Sequence, residues 1–498
     1  MPLALLVAVA GIALAACGPR EAGRAAGGAP ADSAAASPES AAAAASDSAA
    51  ARDTVWPALA SEVREQLAHA WDGYVRYAAG HDALRPLSDA SRDWYEGGSL
   101  LMTPVDAFDT LVLMGLDGRA ARAKSMILDS LSFDRDQRVQ LFEVTIRLLG
   151  GLLSAYQIDG DPRFLDLARD LGRRLLPAFG SPTGMPWRFV NLRTGETSGP
   201  VSNPAEVGSL VLELGTLSKL TGDATYYAAA RRAVTALYDR RSDLGLVGST
   251  IDVRTGEWTS TDSHVSGGID SYYEYLLKAW ILFGDADFHD MWASSERAAD
   301  RWLSDEARGS LWYGHADMRS GERGKTYFGA LDAFWPGTLA LGSRTPPPPS
   351  DSLLDRSRRA MASVDTMWTR WGIEPEVMDY RHMEIVSPGY ELRPEALESA
   401  FYLWRVTGDV RYREMGRRMF RAIVERCRTD AGFAVLKDVR TGQKADRQPS
   451  YFLAETLEYA WLLFSPDSAL GLRTSPAGAD TTLVVFNTEA HPLRRTWR

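Results

Sequence analysis

Cysteine is almost absent: Cys17 and Cys427 are the two in 498 residues. That scarcity excludes a disulfide framework and leaves stability to packing. Positive charge is also short, with 55 Lys and Arg against 65 Asp and Glu, a net charge of −10. The chain as a whole therefore lacks the basic footprint of a nucleic-acid binder, and neutral or cationic partners are favoured. The seven His show neither H-x-x-x-H nor H-E-x-x-H spacing, so no zinc motif is present. No glycine-rich phosphate loop follows a strand, and no G-x-S-x-G elbow surrounds a serine. Beyond residue 16 no run of eighteen apolar residues reads as a further membrane span.

Hydrophobic side chains are plentiful at 45% of the total, with 15 Trp and 18 Tyr. Such a chain buries a large core, which excludes a disordered or collagen-like protein. The length gives a prior of about three domains, although single α-barrels and toroids exceed roughly 150 residues routinely. Aromatic faces of this number suit core packing first and a carbohydrate groove second.

Residues 3–16, LALLVAVAGIALAA, form an apolar run ending in the string LAAC at Cys17. The string resembles a bacterial lipoprotein signal, with no Lys or Arg ahead of its apolar run. This reading makes residues 1–17 a signal ending at a lipid-bearing Cys17. It places the mature protein at a bacterial cell envelope, lipid-anchored in the outer membrane and facing the periplasm or the surface. Residues 18–52 are rich in Ala, Ser, Gly and Pro and read as a flexible tether. Residues 53–498 read as a single domain.

Two turn signals recur along that domain. Gly-Asp followed by an aromatic appears at Gly160-Asp161 with Phe164, Gly222-Asp223 with Tyr226, Gly284-Asp285 with Phe288 and Gly408-Asp409 with Tyr412, at spacings of 62, 62 and 124. Gly suits a helix C′ position and Asp the next N-cap, so each pair joins two helices. The absent member falls in the PPPP stretch, closed by Ser350 as an N-cap. The second signal is a hairpin turn, NLRTGE at 191, DVRTGE at 252, DMRSGE at 317 and DVRTGQ at 438, with DYRHME at 379 as a degenerate form. Between these marks lie helical segments such as IDSYYEYLLKAWILF, apolar around much of their circumference. Alternating buried and amphipathic helices at a fixed period predict an all-α fold, a closed (αα)7 barrel with short β-hairpins at one end.

Each hairpin is followed after 15 to 18 residues by an acid near a helix start: Glu206, Asp270, Asp332, Glu395 and Glu455. In a closed toroid such equivalent positions converge on one pocket, although acids also complement helix dipoles at N-termini. Clustered carboxylates bind a hard cation or flank a glycosidic bond as acid and base.

The strings FEVTIRLLGGLLSAY (142–156), GGIDSYYEYLLKAWILFG (267–284), YELRPEALESAFYLWRVTGD (390–409), SYFLAETLEYAWLLF (450–464) and FNTEAHPL (486–493) closely resemble glycoside hydrolase family 47, the class I α-1,2-mannosidases. The likeness runs in order from about residue 70 to the C-terminus, and SFDRDQRVQLFE and ALDAFWPG are more similar to the ER degradation-enhancing (EDEM-type) branch. The resemblance implies a calcium-dependent, inverting exo-α-1,2-mannosidase of the mannosyl-oligosaccharide type, acting on high-mannose N-glycans or mannan as a monomer. It assigns the general acid to Glu143 and the base candidates to Glu395 and Asp270, with Glu395 preferred as base. Thr488 becomes the Ca2+ residue, with water and substrate hydroxyls completing roughly six to eight oxygens. Arg147, Glu206, Arg393, Glu398, Glu455 and Glu489 fall on polar positions around substrate and metal-bound water, and Tyr451 on a position that stacks under the terminal sugar. Gly268 and Ala330 stand where the standard processing enzymes carry Arg and His. The alternative is an EDEM-like mannose lectin with little turnover.

Overall fold

The structure is a computed structural model that describes residues 55–345, 350–466, 470 and 484–497, together with the backbone from Pro38. It divides into Met1–Asp53 and Thr54–Arg498. The signal reading at 1–17 lies outside the described residues. Within the segment read as a tether, the backbone turns helical at Pro38. Its Ala-rich composition explains this, because Ala has the highest helix propensity although it offers little apolar surface.

The second unit is built from helix pairs. In chain order its helices are the part of α1 (Pro38–Tyr77) from Thr54 on, α2 (Met102–Leu113), α3 (Asp117–Ser130), α4 (Leu141–Val144), α5 (Gly150–Asp159) and α6 (Pro162–Leu175). There follow α7 (Pro204–Gly208), α8 (Val211–Thr221), α9 (Thr225–Tyr238), α10 (Asp270–Phe283), α11 (Ala286–Leu303) and α12 (Trp335–Ser343). The last are α13 (Asp351–Trp371), α14 (Glu395–Thr407), α15 (Val410–Cys427) and α16 (Leu457–Phe464). Helices α2, α5, α8, α10, α12, α14 and α16 pack each against the next, and the turn leading into α16 packs back onto α2. Seven inner helices thus close a ring, and the expected (αα)7 barrel is the fold found. Helices α3, α6, α9, α11, α13 and α15 each pack on the inner helix before them. The part of α1 from Val55 supplies the seventh outer position, with Trp56 stacked on Phe464 of α16 and Arg64 bonded to the Met114 carbonyl beyond α2.

The two classes of helix differ in sequence because they differ in burial. In α6 the buried side chains are Phe164, Leu165, Ala168, Leu171, Gly172 and Leu175, one face at helical spacing. All nine residues of α12 are buried. The run Leu141–Asp159 is long and apolar enough to cross a membrane by length and composition, yet it is mostly buried inside the barrel. Gly160, Gly222, Gly284 and Gly408 end helices with positive φ, and Asp161, Asp285 and Asp409 cap the helices that follow, whereas Asp223 stands one residue before the N-cap Ala224 and accepts the Thr225 amide at 2.9 Å. Ser350 caps α13 through the Leu353 amide.

Gly-Asp turns connect inner to outer helices, and hairpins connect outer to inner ones. Inner helices therefore run parallel to one another and start at the hairpin end. The turn glycines Gly195, Gly256, Gly321 and Gly442 take positive φ, and Met383 takes the same conformation, φ 57°, in the degenerate member. Hydrogen bonds link neighbouring repeats at equivalent places, 62 residues apart: Ser209 to Ser271, Tyr275 to Glu213, and the Gly337 amide to Ser399.

A final hairpin, Val484–Phe486 with Pro492–Arg494, packs inside the ring against α5 and α10. His491 there is fully buried and donates from Nδ1 to Asp109 of α2 at 2.7 Å, while Asn487 bonds the Ile146 carbonyl and Glu213 at 2.8 Å each. Two glycines of α5 admit the hairpin. A Cβ on Gly151 would meet the Val105 carbonyl at 3.1 Å and the His491 ring at 3.2 Å. Gly151→Ala is expected to destabilise by about 1–3 kcal/mol through overpacking. Thermal unfolding checks this, and an unchanged Tm contradicts the close approach.

Candidate active site

Where the seven inner helices begin, a cavity of about 380 Å3 opens toward the hairpin end. All eleven residues assigned by the family resemblance line it. They come from several helix starts and from the final hairpin, and each is placed by a local feature.

Glu143 lies on α4, whose first amide is held by the Arg188 carbonyl. The helix then widens into a π-helical turn, Thr145–Leu149, which carries Arg147. Such turns are uncommon and gather at functional sites. Arg147 is buried, donates from Nε to Glu143 at 2.9 Å and from Nη1 to Glu489 at 2.5 Å, and lies 3.7 Å from Asp106. Burial alone would make this guanidinium easier to deprotonate, but the carboxylates of Glu489, Glu143 and Asp106 drive it the other way.

Glu206 stands in the first turn of α7, where the Asn203 side chain caps its amide at 2.9 Å. Its Oε1 takes Gln140 Nε2 and pairs with Arg188 Nη2, each at 2.8 Å, and its Oε2 accepts Ser202 at 3.1 Å. Asp270 and Glu395 open α10 and α14. Before Glu395 the chain strains: Leu392 holds φ 62°, which a branched residue rarely adopts. Arg393 beside it pairs with Glu376 at 3.0 Å. Tyr451 precedes a second π-helical turn, Phe452–Thr456, which carries Glu455. Its hydroxyl donates to the Glu391 carbonyl at 2.6 Å, and Arg147 and Arg393 lie 5.6 and 5.8 Å from its ring centre.

Thr488 enters from the final hairpin. It is partly exposed, whereas Asn487 and Glu489 on either side are buried, so the tip of the hairpin forms the floor of the cavity.

Eight carboxylates face this space against three guanidinium groups. Burial raises two of the acids that open helices: Asp270 rises to about 7, with Glu274 and Asp332 adding repulsion, and Glu395 rises to about 8. Glu398, Glu455 and Glu489 are raised by burial as well, and for Glu455 the charges of Glu489 and Glu395 add to it. Glu395 Oε2 is buried without a hydrogen-bond partner among the described residues. A site so rich in compressed negative charge is chemically suited to a hard divalent cation or to proton transfer with a polyhydroxylated substrate.

The geometry corrects one expectation. Asp332 does not line the cavity; its Oδ2 accepts the Gly329 amide at 2.7 Å. It lies within a short 3-10 turn, Leu331–Phe334, whose tighter pitch differs from that of the α-helices that carry the other acids. Of the two departures, Gly268 lines the cavity at φ 91° and Ala330 is buried outside it. The structure also adds Glu274, which the sequence reading missed. Its signal was present, one helical turn after Asp270, and its partner Lys278 lies a further turn along and 3.7 Å from Glu398.

The sequence profile of glycosyl hydrolase family 47 matches residues 66–495. The human mannosyl-oligosaccharide 1,2-alpha-mannosidase IB is 38% identical over 462 residues, covering 87% of this chain and 69% of that protein. The human ER degradation-enhancing alpha-mannosidase-like protein 2 is 36% identical over 457 residues, covering 86% and 76%. The solved alpha-1,2-mannosidase from Trichoderma reesei superposes with a TM-score of 0.80 at 28% identity, covering 88% of this chain and 99% of that one. With its ring of helices, its carboxylate-lined cavity and these likenesses, the chain belongs to glycosyl hydrolase family 47, the α-1,2-mannosidase family, and is a glycoside hydrolase.

Proposed function

We propose that the protein is a calcium-dependent, inverting exo-α-1,2-mannosidase that removes terminal α-1,2-linked mannose from high-mannose N-glycans or mannan. One observation carries this reading. Glu143, Asp270 and Glu395 come from inner helices separated by at least one other inner helix around the ring, and they share one cavity. Carboxyl groups placed across a cavity rather than side by side leave room for the water that inversion requires, at a separation of roughly 6.5–9.5 Å.

In this reading Glu143 donates the proton to the departing glycosidic oxygen. Arg147 holds one of its oxygens and shares its own charge with Glu489 and Asp106, which fixes the carboxyl without claiming both oxygens. In its ionised form Glu395 takes the proton of the attacking water, and Asp270 orients that water. The Tyr451 ring, fixed by its hydroxyl bond, offers a face to the terminal sugar. Glu206, Arg393, Glu398, Glu455 and Glu489 bind sugar hydroxyls and ordered water around it. Thr488 fits the calcium role: it is an oxygen donor left accessible on the floor of a cavity whose buried carboxylates repel one another. A calcium ion held there would draw water and sugar hydroxyls together as its oxygen ligands. A lectin with little turnover is the second reading. The lost Arg and His at Gly268 and Ala330 favour it, and the three intact carboxylates oppose it. The lipid anchor at Cys17 is part of the proposal, as is action as a monomer at a bacterial envelope.

Release of mannose from a glycan with α-1,2 caps, followed by NMR of the nascent anomer, tests the central claim. The expected result is β-mannose, formed with calcium and not after chelation. Glu143→Gln is expected to lower kcat by about 10²–10⁴ while calcium binding persists. Glycan binding without release by the wild type favours the lectin.

Asp270 and Glu395 also set a pH dependence. Their folded values lie near 7 and 8, above their ordinary values of 3.8 and 4.5, so the native state keeps protons that the unfolded chain releases. Stability of the metal-free protein from this source is full below about pH 4 and is lost as pH rises toward 8. Melting curves are expected to show Tm falling between pH 5 and pH 8 and calcium restoring more at pH 8 than at pH 5, with protons released on binding. A calcium effect independent of pH contradicts this account.

A further inference from the structure

Outside the sugar cavity, two short strands hold a second group of polar side chains. Asp262–Ser263 pairs antiparallel with Ala316–Asp317, with Ser263 opposite Ala316. Continuing that register sets His264 opposite His315. Residues two apart on a strand share a face, so Asp262, His264 and His315 gather on one side of the ladder. Their ligand atoms lie within 4.8 Å of one another. The two imidazole rings are 4.6 Å apart between centres, and His315 Nδ1 is 2.9 Å from the Asp262 carboxylate. None of the three lines the cavity around Asp270.

We propose that Asp262, His264 and His315 form a binding site for a first-row transition-metal ion, distinct from the oxygen-rich floor at Thr488. Two imidazoles and one carboxylate are the donor set of zinc and its neighbours, whereas calcium takes oxygen. His264 is buried, while the Asp262 side chain is 36% exposed, which gives the ion a path from solvent and a position for water as a fourth ligand. A tetrahedral ion with bonds of about 2.0–2.1 Å holds its ligand atoms roughly 3.3 Å apart, so coordination through His315 Nδ1 exchanges its 2.9 Å contact with the Asp262 carboxylate for bonds to the ion, and the exposed Asp262 carboxylate is the group free to move.

Two local costs oppose the ion and are included in the test. His264 Nδ1 accepts the Ser266 amide at 3.2 Å, so binding at Nε2 moves the ring proton to Nδ1 and gives up that long bond. The Lys325 ammonium acts on both Asp262 and His264 and repels a cation. Asp332, the acid outside the cavity lining, interacts electrostatically with His315.

The site has a structural consequence. The Ser266 carbonyl accepts the amides of Ile269 and Asp270 at 3.0 Å each. An ion on His264 fixes the strand that leads into this segment, at the cost of the Ser266 amide bond, and the Ser266 carbonyl continues to hold the start of the helix with Asp270. The strands it joins are otherwise two residues long.

The test uses the full chain, stripped with chelating resin and then saturated with Ca2+ so that the carboxylate cavity is blocked. Titration with Zn2+ is expected to show one ion per chain, and Co2+ to give tetrahedral d–d absorption. His315→Ala and His264→Gln are each expected to weaken Zn2+ at least tenfold, and Lys325→Ala to tighten it. Far-UV circular dichroism of the ion-free variants separates lost ligands from lost folding, and Lys325→Ala leaves all ligands in place. The proposal is overturned by wild-type protein that takes up no Zn2+ under excess Ca2+, or by uptake that His315→Ala and Lys325→Ala leave unchanged. Because the readout is metal content and spectrum, the outcome is separate from whether mannose is released.

Discussion

One buried guanidinium ties the wall of this barrel to its floor. Arg147 reaches Glu143 on α4, Glu489 on the final hairpin and Asp106 on α2, and so joins three parts of the chain at one point. Its charge makes the surrounding carboxylates tolerable in a buried setting, because removing one partner of such a network strands the others without compensation. Beneath it His491, clamped between Asp109 and Asp106, continues the same alternation of charge down the axis. The floor of the cavity is therefore held by ionic contacts inside an apolar ring.

The remaining architecture serves to bring acids to one end of that ring. Inner helices start at the hairpin end, so Glu206, Asp270 and Glu395 stand in first turns, where the helix dipole favours negative charge. The dipole and the cavity are complementary explanations for one placement. Where regular α-helix would misplace a side chain, the chain departs from it, with π-helical turns at Arg147 and Glu455 and a left-handed Leu392 before Arg393. These irregular positions coincide with the groups that touch the cavity, as strain retained for geometry does.

Much of this was legible in the residues. Gly-Asp and Arg-Thr-Gly turns have a local mechanism, so the repeat, the helix pairs and the closure into a barrel could be read from turn chemistry and burial pattern alone. The acids Glu206, Asp270, Glu395 and Glu455 were found by counting from hairpins, and Asp332 failed that count: it lies within a tight 3-10 turn, a difference of pitch invisible in spacing. Arg147, Tyr451, Thr488 and Glu489 came from likeness to a family rather than from periodicity. Glu274 was within reach one turn after Asp270. The pairing of His264 with His315 was not, because a search for local His spacing is blind to residues joined across two strands that lie 51 positions apart.

The hydrogen bonds that link repeats at 62 residues give the ring an unusual kinetic anatomy. Most inner-helix contacts join near neighbours in the chain, so the array can grow by adding one pair to the next, as solenoids do. Contacts of the other kind span the circle: Thr110 to Glu458 across 348 residues, Arg147 to Glu489 across 342, His491 to Asp109 across 382. The entropy of closing so long a loop grows only with the logarithm of its length, about 0.6 kcal/mol for each doubling, so joining the two ends costs little more than a far shorter closure. An open array already holds its helices but lacks the juxtaposition of Arg147 with Glu489. In this protein the transition from chain to catalyst is one topological event, the meeting of two ends.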